Sequence, residues 1–232
     1  MALLALAIVP CVGRPQSAGE AAEVARLVKA VETRYRSAVT LQVVFLESYR
    51  EGGKETRVES GAAFFRRPGR MRWEYEQPEK KLFLVDGKQV WFYVPADRTV
   101  TRTRIQQSDD WRTPLALLAG KGSLARACKR IVRDSAPPGS ASSSREAVLL
   151  RCVPRDKDAG FKEIILGVNP ANYFSRIVIR EPGGIETEFN FTKWESNRPL
   201  PEAMFHFQAP AGVAIVEGGG PGAHGPGRLS ED

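Results

Sequence analysis

The chain has 232 residues, 42% hydrophobic and 26% charged, an ordinary globular composition that excludes a disordered chain or a bundle of membrane helices. Its 34 Lys and Arg against 27 Asp and Glu give a net charge of +7, short of what a basic tail protein carries. Two histidines and three cysteines leave few ligands for a metal site and count against enzymes built on a His cluster.

Residues 1–18 open with an apolar run, Ala2 to Val12, which is about half of the roughly 20 residues a spanning helix needs. Pro10 and a small-residue end at Ser17-Ala18 give the segment the order of a cleaved export signal. From Gly19, the spacing of Val24, Leu27, Val28, Val31 and Tyr35 predicts one amphipathic helix. After Thr40 the period becomes two. The stretches LQVVFLESYR, TRVESGAAFFR and RMRWEYEQ, bounded by Gly52-Gly53 and Pro68-Gly69, read as strands. In the third of them Met71, Trp73 and Tyr75 alternate with Arg70, Arg72, Glu74 and Glu76, so an aromatic face opposes a charged one. Strands at 81–86 and 88–94 meet at Asp86-Gly87, a tight-hairpin pair, and another follows at 98–105.

Thr113-Pro114 pairs an N-cap with a proline suited to the first helical position, so a short apolar helix is expected through Leu115, Leu117 and Leu118. Strands resume at 126–133, 146–154, 161–168, 173–181 and 185–196. Residues 217–232 hold six glycines and two prolines in sixteen positions and read as a disordered tail. Three segments result: an export signal at 1–18, one domain at 19–216 and the tail at 217–232.

The predicted class is mainly β: an incomplete, half-open antiparallel β-barrel of about eleven strands, because a twisted sheet of this width curls rather than lying flat. Two helices are too few to cover both faces, so they are expected to form a lid over a hydrophobic cavity. Cys128 and Cys152 are equidistant from the Pro137-Pro138-Gly139-Ser140 loop, which predicts a cross-strand disulfide. Closing about 25 residues is worth roughly 3 kcal/mol and suits an oxidising compartment. There is no G-x-S-x-G, no Walker loop, no strand-to-helix G-x-G-x-x-G and no H-E-x-x-H. No catalytic residue, metal ligand or cofactor is expected, and the chain is not expected to be an enzyme.

The run GAAFFRRPGRMRWEYEQPEKKLFLVDGKQVWFYVPADRT, Gly61 to Thr99, resembles the LolA family of periplasmic lipoprotein carriers. The shared features are a strand ending R-P, then W-x-Y, Q-P and F-x-V-D-G-K-x-x-W-F-Y-x-P. T-P-L-A-L-L at 113–118 and F-x-F-x-A-P-x-G-V at 205–213 extend the likeness over most of 20–216. The resemblance implies a monomeric periplasmic carrier that takes acylated lipoproteins by their acyl chains. Its implied partners are an inner-membrane lipoprotein-releasing ABC transporter and an outer-membrane lipoprotein acceptor, with no nucleic acid. The expected cavity lining is Met71, Trp73, Tyr75, Phe64, Leu84 and Trp91, of which Trp73 matches the family's cavity tryptophan. Arg67 matches an arginine that latches the closed lid through lid backbone, and Leu115, Leu117 and Leu118 match the lid helix. Two competing readings are a periplasmic lipoprotein receptor or stress-sensing regulator of the same fold, and a basic binder of anionic surfaces using Arg66, Arg67, Arg70 and Arg72.

Overall fold

The structure, a computed structural model, describes residues 17–105, 117–118, 122–135, 148–156 and 160–217. Helix α1 spans Ala18–Ser37, with Ser17 as its N-cap: the Ser17 hydroxyl accepts from Glu20 N at 3.2 Å. Its buried stripe is Val24, Val28, Val31 and Tyr35, the residues whose spacing predicts the helix. A hairpin series follows as β1 (Thr40–Glu51), β2 (Lys54–Arg66), β3 (Arg70–Gln77), β4 (Lys81–Val85), β5 (Gln89–Val94) and β6 (Thr99–Arg104). A four-residue helix α2 (Leu124–Ala127) leads into β7 (Cys128–Asp134), β8 (Val148–Pro154), β9 (Glu163–Val168), β10 (Phe174–Arg180) and β11 (Ile185–Ser196). Residues 1–16, expected to belong to an export signal, residues 218–232, expected to form a tail, residues 136–147, and Thr113 to Leu115 lie outside the described residues.

All eleven expected strands are present, and a twelfth, β12 (Ala214–Glu217), corrects the count. β12 pairs parallel to β6, so the sheet order is β12-β6-β5-β4-β3-β2-β1-β11-β10-β9-β8-β7. The two ends of this row are not paired to each other, so the sheet is open. Glu217, placed in the tail by composition, ends β12 and is bonded to Arg102 of β6. Gly61 marks a bulge where β2 meets β3: a Cβ there would lie 1.9 Å from the Glu74 carbonyl oxygen. At the β4–β5 turn Gly87 takes a φ of 99°, and Asp86 Oδ1 accepts from Lys88 N and Gln89 N at 2.8 Å each.

Alternation divides the sheet into two faces. The inner face carries Phe45, Ala63, Trp73, Phe83, Leu166, Ile177 and Phe189, all buried against α1, α2, Leu117 and Leu118 in one core. On the outer face a row of alternating charges crosses the strands. Asp134 of β7 bonds Arg151 of β8, which approaches Glu163 of β9 at 3.7 Å. Arg180 of β10 bonds both Glu163 and Glu186, and Glu186 of β11 accepts from Arg50 of β1. Such cross-strand pairs set register as well as adding stability.

Another part of the outer face, over β3 and β5, is covered by the segment 197–213. Phe205 is fully buried, and Phe207 lies over Trp91 and Tyr93, stacked on Trp91 at 5.1 Å. Three arginines bolt this strap down. Arg66 donates to Leu200 O at 2.6 Å, Arg72 to Met204 O at 2.9 Å, and Arg70 pairs with Glu202 at 2.5 Å.

Glu188 is the most strongly held carboxylate of the outer row. Burial by itself would raise its pKa, but hydrogen bonds from Arg176, then Arg50 and Asn190, outweigh that and bring it from 4.5 to about 2. A carboxylate whose folded pKa is depressed contributes stability above its unfolded pKa and loses it as pH falls toward the folded one. The urea midpoint is therefore expected to fall as pH drops from about 5 to about 2. Glu188→Gln should flatten that fall while lowering stability at neutral pH, which equilibrium unfolding followed by circular dichroism reads directly.

Candidate functional site

The inner face concentrates aromatic side chains around one tryptophan. Trp73 has Phe45 at 5.0 Å, Phe189 at 5.6 Å, Phe65 at 5.8 Å and Phe191 at 6.4 Å between ring centroids. Register explains why they meet: Ala63 pairs with Trp73, Trp73 with Phe83, and Phe45 with both Gly61 and Phe191. Directly opposed residues share a face, so counting in twos from Trp73 collects the whole group. Met71 and Tyr75 lie on this face as well, Tyr75 donating from its hydroxyl to Glu47 Oε2 at 2.8 Å.

The other expected lining residues are not brought together with these. Phe64, Leu84 and Trp91 fall on the alternate positions and face outward, Leu84 and Trp91 beneath the C-terminal strap. Trp91 Nε1 donates to Asp86 Oδ2 at 2.9 Å, so the V-D-G-K-x-x-W run builds a braced hairpin. In their place the structure sets Phe45, Phe65, Phe83, Phe189 and Phe191 on the inner face, a grouping that alternation in register with Trp73 identifies.

The cover consists of α1, Leu117, Leu118 and α2. Leu117, Leu118 and Leu124 are at most 3% exposed and belong to the same core as Trp73. Leu115 lies outside the described residues. Tyr35 seats α1: its ring stacks on Phe174 at 5.1 Å, and its hydroxyl accepts from Phe174 N at 2.8 Å. Burial raises the Tyr35 pKa well above its usual value, so the phenol stays neutral.

Two further polar contacts help to hold the cover in place. The first is Arg67, which follows β2: Nε donates to Ala38 O at 2.6 Å, and its backbone N donates to Val39 O at 3.0 Å. Ala38 is the C-cap of α1, one of the carbonyls a helix end leaves without an internal partner, and a cation there is favoured by the helix dipole. The contact grips the joint between α1 and β1. Burial, and then nearby Arg36, lower the Arg67 pKa from the usual arginine value, and its Nη2 is buried without a partner among the described residues.

The second contact joins the two helices of the cover. Glu32 of α1, 9% exposed, accepts from Ser123 Oγ at 2.8 Å and Ala125 N at 3.4 Å. Its other oxygen accepts from Arg36 at 3.3 Å. A charge on the buried stripe of an amphipathic helix is the sequence signal for such a role, because it breaks the apolar pattern. The disulfide Cys128–Cys152 then ties β7, directly after α2, to β8. Among the described residues no cluster of His, Cys, Asp or Glu is arranged to hold a metal ion.

An open, mainly antiparallel sheet with one aromatic face under a helical cover is the architecture of a carrier for apolar ligands. Residues 37–208 match the model of the family described as outer membrane lipoprotein carrier protein LolA, and the chain belongs to that family. An outer-membrane lipoprotein carrier protein of Nitrosomonas europaea is 32% identical over 83% of this chain and 89% of its own. Its counterpart from Bordetella avium is 32% identical over 71% of this chain and 74% of its own. Among solved structures, an uncharacterised conserved protein from Thermus thermophilus shares the fold with a TM-score of 0.53 at 12% identity. That match covers 84% of this chain and 99% of the other.

Glu32→Ala is expected to cost about 2 kcal/mol, the scale of charge-assisted hydrogen bonds left unmade. Amide exchange at Leu124 to Ala127 should speed up more than exchange in β1 or β2, since the loss is local to the α1–α2 contact.

Proposed function

We propose that this protein is a periplasmic carrier of acylated lipoproteins, exported by residues 1–18 and holding cargo acyl chains on the inner face. The observation that carries the reading is the wholly buried aromatic group around Trp73, closed by helices rather than by more sheet. Phe45, Phe65, Met71, Trp73, Tyr75 and Phe83 are the contact surface for the chains, and Leu117 and Leu118 are the lid residues that give way. Family membership supports lipoprotein as the cargo. An inner-membrane lipoprotein-releasing ABC transporter would load it and an outer-membrane acceptor would receive the cargo.

The physical chemistry suits transport without a covalent step. Each methylene removed from water is worth about 0.8 kcal/mol, so chains of ordinary length bind without any reaction. The side chains of α1, α2, Leu117 and Leu118 occupy the inner face in this structure, so cargo and cover compete for it. Closing over the empty face then offsets part of the binding free energy and makes release feasible. Arg67 biases that competition, because its bond to Ala38 O holds the C-terminal end of α1 in its seated position.

The test is to incubate the full chain with a triacylated lipopeptide and record native mass spectra, with a one-to-one complex as the expected result. Arg67→Leu should fold yet transfer poorly. Without the latch the open form is more populated, so the lipopeptide is expected to bind about tenfold more tightly and leave correspondingly more slowly. Unchanged binding and transfer by Arg67→Leu would remove the latch from the mechanism.

A further inference from the structure

Trp73 has no exposed surface, and its indole nitrogen has no hydrogen-bond partner among the described residues. Its ring neighbours are Phe45, Phe65, Phe189 and Phe191, none of which carries a conventional acceptor. Ring faces accept only weakly. The other two tryptophans described are satisfied: Trp91 Nε1 donates to Asp86 Oδ2 at 2.9 Å, and Trp194 Nε1 donates to Phe174 O at 2.7 Å. Among the described tryptophans, the unmade bond therefore belongs to the one on the inner face. A buried donor without an acceptor lowers stability, and phenylalanine would fill an aromatic core without that cost. A bridging water is poorly accommodated, because it needs several polar partners and the surrounding rings offer none.

We propose that the Trp73 N–H donates to a carbonyl oxygen of an ester-linked acyl group in the cargo. Trp73 is then the residue by which the site selects acyl esters over bare hydrocarbon. The inference rests on the carrier reading and adds a polar contact to it. An acyl chain differs from an alkyl chain in its carbonyl, which loses its hydrogen bonds to water when the chain is buried. That dehydrated acceptor and the orphaned indole donor each lack what the other supplies. A site holding a donor ready for one carbonyl discriminates against the analogue without it, since binding the analogue leaves the donor unmade.

The experiment compares two probes on the full chain, wild type and Trp73→Phe. One is an S-glyceryl-cysteine peptide carrying two palmitoyl esters, and the other is the same peptide with two hexadecyl ethers. Wild-type protein is expected to bind the ester about tenfold more tightly than the ether, the scale of one buried hydrogen bond. Trp73→Phe should lose that preference by weakening ester binding alone. In wild-type protein the Trp73 indole 15N–1H resonance should move downfield with the ester probe and not with the ether, a readout that needs no variant to fold. Equal affinity for both probes, or an indole resonance that responds to both alike, overturns the donor role and leaves the carrier standing. Failure of folded wild-type protein to bind either probe overturns the carrier reading and the inference with it.

Discussion

A twelve-stranded sheet has two faces to keep from water, and here they are kept by different means. The outer face is covered in part by the chain's own C-terminal segment and in part by paired charges, with Val44, Leu46 and Val58 left exposed on β1 and β2. The inner face depends on a cover of helices whose contact with it is mainly apolar. Burial holds that cover down without directing it. Its position is set by a few polar bonds: Tyr35 to the Phe174 amide, Arg67 to the Ala38 carbonyl and Glu32 to Ser123. An interface of this kind can be displaced by a ligand with similar apolar surface, since the polar bonds the cover gives up are few.

The strands were legible because their signals are local. Period-two alternation and turn pairs such as Asp86-Gly87 act over a few residues, and the three-and-four spacing of α1 acts over one face of one helix. β12 was not legible: it has four residues, all exposed, and pairs with β6 through a tertiary contact that leaves no pattern in the sequence. The composition of the glycine-rich stretch that follows drew the boundary too early at Glu217.

The site was half legible for a related reason. Met71, Trp73 and Tyr75 stand out because charged residues separate them, so one face declares itself. Leu82 to Val85 and Val90 to Val94 are apolar at consecutive positions, because the strap buries their outer side as well. In such strands hydrophobicity no longer tells inside from outside, and Leu84 and Trp91, expected in the cavity lining, fall on the outer face instead. The arginine run has the same explanation. Arg66, Arg70 and Arg72 make part of the basic character seen in the sequence, yet they are engaged with the strap, while Arg67 turns to the opposite side and grips α1.

The strap also ties the fold to the order in which the chain is made. Residues 197–217 reach Val39 and Thr40 at the helix joint, Arg70 and Arg72 on β3, Phe207 over Trp91, and finally β6 as a parallel neighbour. Each of these contacts joins the end of the polypeptide to its first half. Until residues 197–217 have been synthesised, Leu84, Trp91 and Val100 lack that cover and β6 lacks its β12 neighbour. Such long-range closures come late and fold slowly, leaving the nascent chain a long interval in which it is still unfolded.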